Sequence, residues 1–191
     1  MDTPSEIIDF SGKLLIAMPG MGDMRFDRAV IFLCAHSSDG AMGLIINKPS
    51  QDLSFRDLVE QLSIKTGETE VAAPIHFGGP VDHGRGFVLH TSDYSTQDTT
   101  MVVKGGFGMT ATLDILKDIA LGGGPKSSIM ALGYAGWGPN QLEGEIQQNG
   151  WLLCDATPEI VFDVPSAAKW EASLRTLGVD PVTLSASAGH A

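Results

Sequence analysis

The chain has 191 residues, of which 43% are hydrophobic and 18% are charged, values typical of a globular domain rather than of a disordered chain. Twelve Lys and Arg stand against 23 Asp and Glu, and the net charge of −11 disfavours direct binding to nucleic acids and to anionic membranes. The longest apolar run is far shorter than the ~20 residues of a membrane-spanning helix.

The first half of the chain predicts short strands joined by tight turns. The apolar or β-rich runs are residues 13–18, 29–35 and 42–46. Residues 37–40 (Ser-Ser-Asp-Gly) form turns readily, so the last two runs predict a β-hairpin. Ser54, followed three residues later by Asp57, resembles a capping box and predicts a helix that continues through Leu62.

The second half of the chain alternates predicted strands with predicted helices. The strands are residues 86–90, 101–104, 128–132 and 151–154. Four helices are predicted: residues 112–121, a helix that begins near Pro139, a short helix that begins at residues 157–159, and residues 167–177. We expect residues 136–139 to form a loop. Hairpins followed by alternation favour a mixed sheet with helices packed on it over a purely parallel sheet.

Three parts of the chain are expected to behave differently. Residues 1–11 predict a loosely held lead-in, residues 12–184 a single domain, and residues 185–191 a disordered tail of small and polar residues. The N-terminus has acids and no basic stretch before an apolar run, so we expect no signal peptide. Two cysteines, Cys34 and Cys154, are too few for a disulfide framework, and a reducing cytoplasm is the expected location.

Glycine-rich segments are the most suggestive candidates for a binding site. Gly78 and Gly79 precede Pro80, and a second segment covers residues 133–138. Glycines let backbone N–H groups approach a ligand, but neither segment matches a phosphate loop or a dinucleotide-binding motif. Tight turns that need a positive φ are the favoured interpretation of both segments.

Metal binding and acid–base catalysis find little support in the sequence. Cys34 and His36 are two residues apart on a predicted strand and share a face, where a metal would need a third ligand such as His90 or Cys154. Metal sites usually have denser ligand clusters, so a buried thiol and a strand-end histidine are favoured.

Glu143 and Glu145 diverge by ~200° around a predicted helix, whereas Gln141 and Glu145 share a face. A paired-carboxylate site is therefore not indicated. No serine has the Gly-x-Ser-x-Gly setting of a hydrolase. We predict no catalytic residue, no metal ligand and no cofactor.

Seven segments, in this order over roughly residues 12 to 180, together resemble the YqgE/AlgH family of bacterial proteins. They are residues 12–19 (GKLLIAMP), 40–49 (GAMGLIINKP), 78–81 (GGPV), 86–90 (GFVLH), 132–137 (LGYAGW), 141–146 (QLExEI) and 149–152 (NGWL). The resemblance implies an α+β fold with a mixed β-sheet, partly curled into a small barrel and flanked by helices. It implies no established activity. The family carries the label of transcriptional regulator without a recognised DNA-binding motif. Ala35 stands where an acid is often expected.

The sequence favours a cytoplasmic, non-catalytic binding or regulatory protein that acts through a small ligand or a protein partner. The alternative is an enzyme of unrecognised type with a site near residues 78–80 and 133–145. Direct DNA binding comes last, and would need a fold that gathers scattered cations on one face. The candidate binding residues are Gly78, Gly79, Pro80, Arg85, His90, Gly133, Trp137, Gln141 and Glu145.

Overall fold

A computed structural model describes residues 8–68, 71 and 73–188 of the protein. Within these residues the chain forms ten strands and five α-helices. The strands are β1 Lys13–Ala17, β2 Val30–Ser37, β3 Gly40–Ile45, β4 Pro49–Ser54, β5 Pro74–Phe77, β6 Val81–Thr91, β7 Thr100–Val103, β8 Phe107–Thr110, β9 Ser128–Trp137 and β10 Trp151–Asp155. The helices are α1 Phe55–Gln61, α2 Leu113–Ala120, α3 Gln141–Gln147, α4 Lys169–Thr176 and α5 Pro181–Ala188.

The strands pair in the order β10-β1-β2-β3-β9-β6-β8-β7, and β5 joins β9 from the side and carries β4. The β5–β9 pair is parallel, while the other described pairs are antiparallel. The sheet curls into a half-barrel. Asp9, before β1, accepts a 2.8 Å hydrogen bond from Lys104 Nζ, after β7, and so links the two sides of the half-barrel. This hydrogen bond is the main reason that the pKa of the Asp9 carboxyl is lowered to about 2.

Alternate residues of the central strands pack on opposite faces of the sheet. Leu14 and Phe32 point into the half-barrel, where Trp170 and Leu174 of α4 complete the core. Leu15 points outward to a second cluster that α3 covers, and α1 and α2 cover a third cluster on the other half of the sheet. Because both faces are buried, β1 is a continuous apolar run rather than an alternating one.

The local predictions agree with the structure where the signals were strongest. The predicted hairpin is the β2–β3 pair. The predicted capping box is present at α1: Asp57 N–H donates to Ser54 Oγ at 3.2 Å, and Ser54 N–H donates to Asp57 Oδ2 at 3.0 Å. The α+β fold with a curled, mixed sheet is confirmed.

The main error concerns β9. Residues 136–139 were expected to form a loop, but Gly136 and Trp137 belong to β9. The strand continues past Gly133, which has a φ of 75° and lies where the pairing of β6 with β9 is irregular. Pairing of Gly136 with Met42 of β3 extends the strand. The short strands β4, β5 and β8 were not predicted, since their stability comes from neighbours distant in sequence.

The division into lead-in, domain and tail remains a prediction. Residues 1–7 and 189–191 lie outside the described residues, whereas α5 runs to Ala188 and so enters the expected tail. Within the expected lead-in, the Phe10 N–H donates to His36 Nδ1 at 3.1 Å. No helix in the described part of the chain is long and apolar enough to cross a membrane.

Candidate functional site

An open cleft of about 700 Å³ lies at one end of the half-barrel. The turn end of β2–β3, the first half of β6, β7, β8 and the end of β9 surround it. Its apolar surface comes from Met42, Phe87, Met101, Met109 and Tyr134. Met42 and Tyr134 also pack against the interior core, so the cleft opens directly above that core. Such mouths of barrels are common ligand sites, and the volume suits a small organic molecule.

Arg85 is the one cationic side chain among the residues that line this cleft, all of which lie in the described part of the chain. Its guanidinium carbon lies 5.2 Å from the centre of the Phe87 ring, a cation–π contact. Asp39 lines the same cleft at the hairpin turn. Within the described residues Arg85 forms no ion pair, so its hydrogen-bond donors are available to an incoming acceptor.

Trp137 forms part of the cleft wall and is fixed from behind by α3. Its indole N–H donates to Glu145 Oε2 at 2.6 Å, and Trp151 donates to the same oxygen at 3.4 Å. The two indole rings meet edge to face at 6.1 Å. Gln141 Oε1 accepts the Gly138 N–H at 3.0 Å and closes the turn between β9 and α3. Glu145 and Gln141 therefore position the tryptophan and do not line the cleft.

Gly78, Gly79 and Gly133 meet in space, but as a backbone crossing. A Cβ atom at Gly79 would lie 2.0 Å from the Tyr134 carbonyl carbon, and one at Gly133 would lie 2.4 Å from the Gly79 oxygen. Gly78 N–H donates to Leu132 O at 2.8 Å. This close packing gives the three glycines a structural role. Pro80, which follows Gly79, is half-buried and does not line the cleft, whereas the next residue, Val81, does.

His90 lies away from these residues. Its Nε2 is 2.8 Å from Thr110 Oγ1 and its Nδ1 is 2.8 Å from Thr91 O, and the ring is buried between β6 and β8. Burial lowers its pKa. Of the predicted residues, therefore, Arg85 and Trp137 come together in the cleft and His90 does not.

The sequence did not identify a contact between His36 and Glu143. His36 Nε2 lies 2.6 Å from Glu143 Oε1, while Nδ1 accepts the Phe10 N–H, so the ring proton lies on Nε2 and is donated to the carboxylate. The Phe10 ring stacks on the imidazole at 4.8 Å. The pKa of Glu143 is lowered by its own backbone N–H and then by His36. The arrangement ties the residues before β1 to α3.

The expectation that Cys34 and His36 share a face is wrong. A β-bulge between Leu33 and Ala35 shifts the register, so Cys34 points into the interior core while the His36 ring packs against Phe10, which belongs to the outer cluster. Burial raises the pKa of the Cys34 thiol to about 12, which makes it a poor nucleophile and ligand. In residues 8–68, 71 and 73–188, no three His, Cys, Asp or Glu side chains are arranged to hold a metal ion.

A second polar cluster lies in the interior. Met130 O and Ser166 Oγ lie 3.2 Å and 3.3 Å from the two ring nitrogens of His76, and Lys169 Nζ donates to Ile46 O at 3.1 Å. Burial, and then Lys169, lowers the pKa of His76 to about 4, so its imidazole is a weak base. Burial lowers the pKa of Lys169 to about 8. A histidine of such low pKa is poorly matched to general-base catalysis near neutral pH.

Comparison with known proteins gives a consistent result. A family model described as AlgH-like matches residues 14–182. A UPF0301 protein of Ruegeria pomeroyi is 58% identical over 185 residues, which cover 96% of this chain and 100% of the relative. A UPF0301 protein of Cereibacter sphaeroides is 55% identical over 184 residues, with the same coverage of 96% and 100%.

Two solved structures have the same fold. The solution structure of the AlgH protein from Pseudomonas aeruginosa is 40% identical, covers 100% of this chain and 99% of its own, and superposes with a TM-score of 0.75. The crystal structure of protein DIP2367 from Corynebacterium diphtheriae is 20% identical, covers 96% and 92% of the two chains, and has a TM-score of 0.68. At that identity the second structure supports the fold alone.

Proposed function

This chain belongs to the AlgH-like family, and we propose that it is a non-catalytic binding protein of the cytoplasm that takes a small ligand in the cleft at the end of its half-barrel. The ligand has an apolar or aromatic body and an acidic group. Its binding changes the surface that a protein partner meets, which gives the protein a regulatory role.

The observation that carries this proposal is the position of Arg85. The exposed guanidinium lies over the Phe87 ring and offers several hydrogen-bond donors to a ligand. It stands beside the apolar wall of a cleft of about 700 Å³. Met42, Met101 and Met109 border the same surface, and flexible thioethers adapt to ligands of different shape. An acidic group on Arg85 with an apolar body against the methionines uses both features.

The location of the most perturbed groups outside the cleft supports a binding role over an enzymatic one. Active sites are where strongly shifted pKa values normally concentrate. In this protein the large shifts belong to Cys34, His76 and Lys169 in the interior and to Asp9 and Tyr94 nearer the surface, and none of these five residues lines the cleft.

The state of the cations supports a small ligand over DNA. Lys13 pairs with Asp155, Arg25 pairs with Asp23 at 2.8 Å, and Arg28 lies over the Trp170 ring. A DNA-binding face would have to gather five scattered cations, Lys13, Arg25, Arg28, Lys48 and Arg85, and two of these are thus neutralised by carboxylates within the protein. The thiols of Cys34 and Cys154 are free and buried, in keeping with a reducing cytoplasm.

A thermal-shift screen tests the proposal. The panel contains nucleotides, aromatic carboxylates and acyl phosphates, each beside an uncharged analogue of the same shape. A ligand present at ~100 times its dissociation constant stabilises the fold by ~2.7 kcal/mol, a rise of several degrees in Tm.

The matched variants are Arg85→Gln and, as a control on the exposed face of α4, Arg175→Gln. We expect Arg85→Gln to reduce the affinity for acidic ligands at least tenfold, and Arg175→Gln to leave it unchanged. A hit that binds both variants equally would place the ligand elsewhere. A panel without any hit would count against a small ligand and direct the search to a protein partner.

A further inference from the structure

The last residues of β9 have a strand neighbour on one side only. Residues 135–137 pair with β3. On the opposite edge, β6 pairs with β9 only as far as Tyr134 within the described residues, and the next residues of β6, 82–85, leave the register in a wide bulge. Gly136 and Trp137 line the cleft. A free sheet edge three residues long therefore borders the proposed binding site.

Gly136 directs its backbone hydrogen-bonding groups toward this free edge. The Trp137 carbonyl oxygen lies on the β3 side, because a Cβ atom at Gly40 would be only 2.2 Å from it. Along a strand of an antiparallel pair, successive residues direct their N–H and C=O groups alternately toward one neighbour and away from it. The N–H and C=O of Gly136 therefore point away from β3, and this glycine is exposed. An extended peptide pairs with such groups at a sheet edge.

Two charged side chains without ion-pair partners border the same cleft. Arg85 lies on β6, and Asp39 lies in the turn between β2 and β3. Within the part of the chain that the structure describes, neither forms an ion pair. A short peptide has the complementary groups, a carboxylate for Arg85 and an ammonium for Asp39, with backbone amides between them for the free edge.

The apolar wall of the cleft suits the side chains of such a peptide. Alternate side chains of an extended chain point to opposite faces, so one row meets the wall while the other stays in solvent. Met42, Met101 and Met109 contribute to that wall, and flexible thioethers adapt to side chains of different shape. Three extended residues span about 10 Å, which is the length of the free edge of β9.

We propose that the cleft binds short peptides in an extended conformation, which pair with Gly136 and place the carboxyl end at Arg85 and the amino end toward Asp39. This inference rests on the function proposed above, because it names the chemical class of the ligand in the same cleft. A rigid aromatic acid would use the guanidinium and the methionines alone. A peptide also uses the free edge and the unpaired carboxylate.

The test uses pools of tripeptides composed of alanine, valine, leucine, methionine and phenylalanine. The ¹⁵N-labelled full-length protein is titrated with the free peptides, with the same pool amidated at the carboxyl end, and with the same pool N-methylated at both peptide bonds. We expect the free pool to give saturable shifts at the Gly136 amide, and the amidated pool to bind about tenfold more weakly. The N-methylated pool should not shift this amide saturably, because it lacks the donors for strand pairing.

Two variants identify the groups that hold the ends of the peptide. Both side chains are exposed, so neither variant should lower the Tm. Arg85→Gln should bind the free and amidated pools equally. Asp39→Asn should lose the preference of the wild type for a free over an acetylated amino end. Arg175→Gln, on the exposed face of α4, should keep both preferences.

Benzoate separates this inference from the function on which it rests. Binding of benzoate that requires Arg85, without binding of the free pool, would overturn the peptide and leave an acidic ligand in the cleft. Failure of both benzoate and peptides to bind would overturn both proposals. The inference is also wrong if the N-methylated pool binds as tightly as the free pool, or if the preference for a free carboxyl end survives in Arg85→Gln.

Discussion

Replacing Lys169 by methionine should stabilise the protein and remove part of its pH dependence. Lys169 is the first residue of α4 and is 3% exposed. Its ammonium donates to Ile46 O, and among the described residues no carboxylate lies within ion-pair distance. Burial therefore lowers its pKa from 10.5 to about 8. His76, whose pKa Lys169 lowers, is neutral at pH 7.

The magnitude follows from this shift. The pKa of Lys169 is about 2.5 lower in the folded state than in the unfolded state. At pH 7 the buried charge therefore destabilises the fold by about 3 kcal/mol. Methionine has a similar length and no charge, but it leaves Ile46 O without its donor, at a cost of about 1–2 kcal/mol. We expect Lys169→Met to raise the free energy of unfolding by about 1–2 kcal/mol at pH 7.

The sign of the pH dependence is defined by the same group. Its pKa is lower in the folded than in the unfolded state, so between about pH 8 and pH 10.5 the unfolded state binds more protons, and folding stability rises with pH. From pH 7 to pH 9 this amounts to about 1 kcal/mol in the wild type, and Lys169→Met should lack it. The thiol of Cys34, whose pKa is raised to about 12, acts in the opposite direction above pH 9 but equally in both proteins.

Urea unfolding at pH 7, 8 and 9 measures these effects. The stability advantage of Lys169→Met should shrink by about 1 kcal/mol over that range, since the wild type gains what the variant cannot. The control is Lys117→Met on the exposed side of α2, which should change stability by no more than about 0.5 kcal/mol at every pH. A constant difference between Lys169→Met and the wild type from pH 7 to pH 9 would refute the reasoning.

Three further substitutions have expected outcomes. Glu145→Ala leaves the Trp137 indole N–H without its acceptor, so stability should fall by about 1–3 kcal/mol in urea unfolding and tryptophan emission should shift; unchanged emission would contradict the contact. Gly79→Ala should prevent folding or cost more than about 3 kcal/mol, because its Cβ would overlap the backbone of β9. Gly84→Ala, where the Cβ position is open, should be neutral or stabilising by about 0.5 kcal/mol. Similar thermal denaturation of the two variants would be inconsistent with the backbone crossing. Ser54→Ala removes the capping box of α1 and should cost about 1 kcal/mol in urea unfolding, and a loss below about 0.3 kcal/mol would show that the cap contributes little.

Short-range patterns in the sequence were sufficient for the elements whose causes are local. The hairpin of β2 and β3 and the capping box of α1 depend on residues within one turn of each other, so they could be predicted. The ordered set of segments from residue 12 to about residue 180 was likewise sufficient for the family and the α+β fold. A strand such as β5, which is four residues long and pairs with β9 more than 50 residues away, gives no comparable signal.

The candidate site shows the same division. The sequence by itself pointed to Arg85 and Trp137, and to the glycines at residues 78, 79 and 133, as members of one region. Only the tertiary structure separated the glycines that pack against backbone, such as Gly79, from those with open space at the Cβ position, such as Gly84, because the space around a Cβ atom depends on distant segments. Only the tertiary structure showed that His36 contacts Glu143, 107 residues further along the chain, after a bulge in β2 changes the face of the sheet on which His36 lies. It also showed that His90 lies away from the cleft. Those contacts arise from the curl of the sheet, a cooperative property of all its strands that no single stretch of sequence contains.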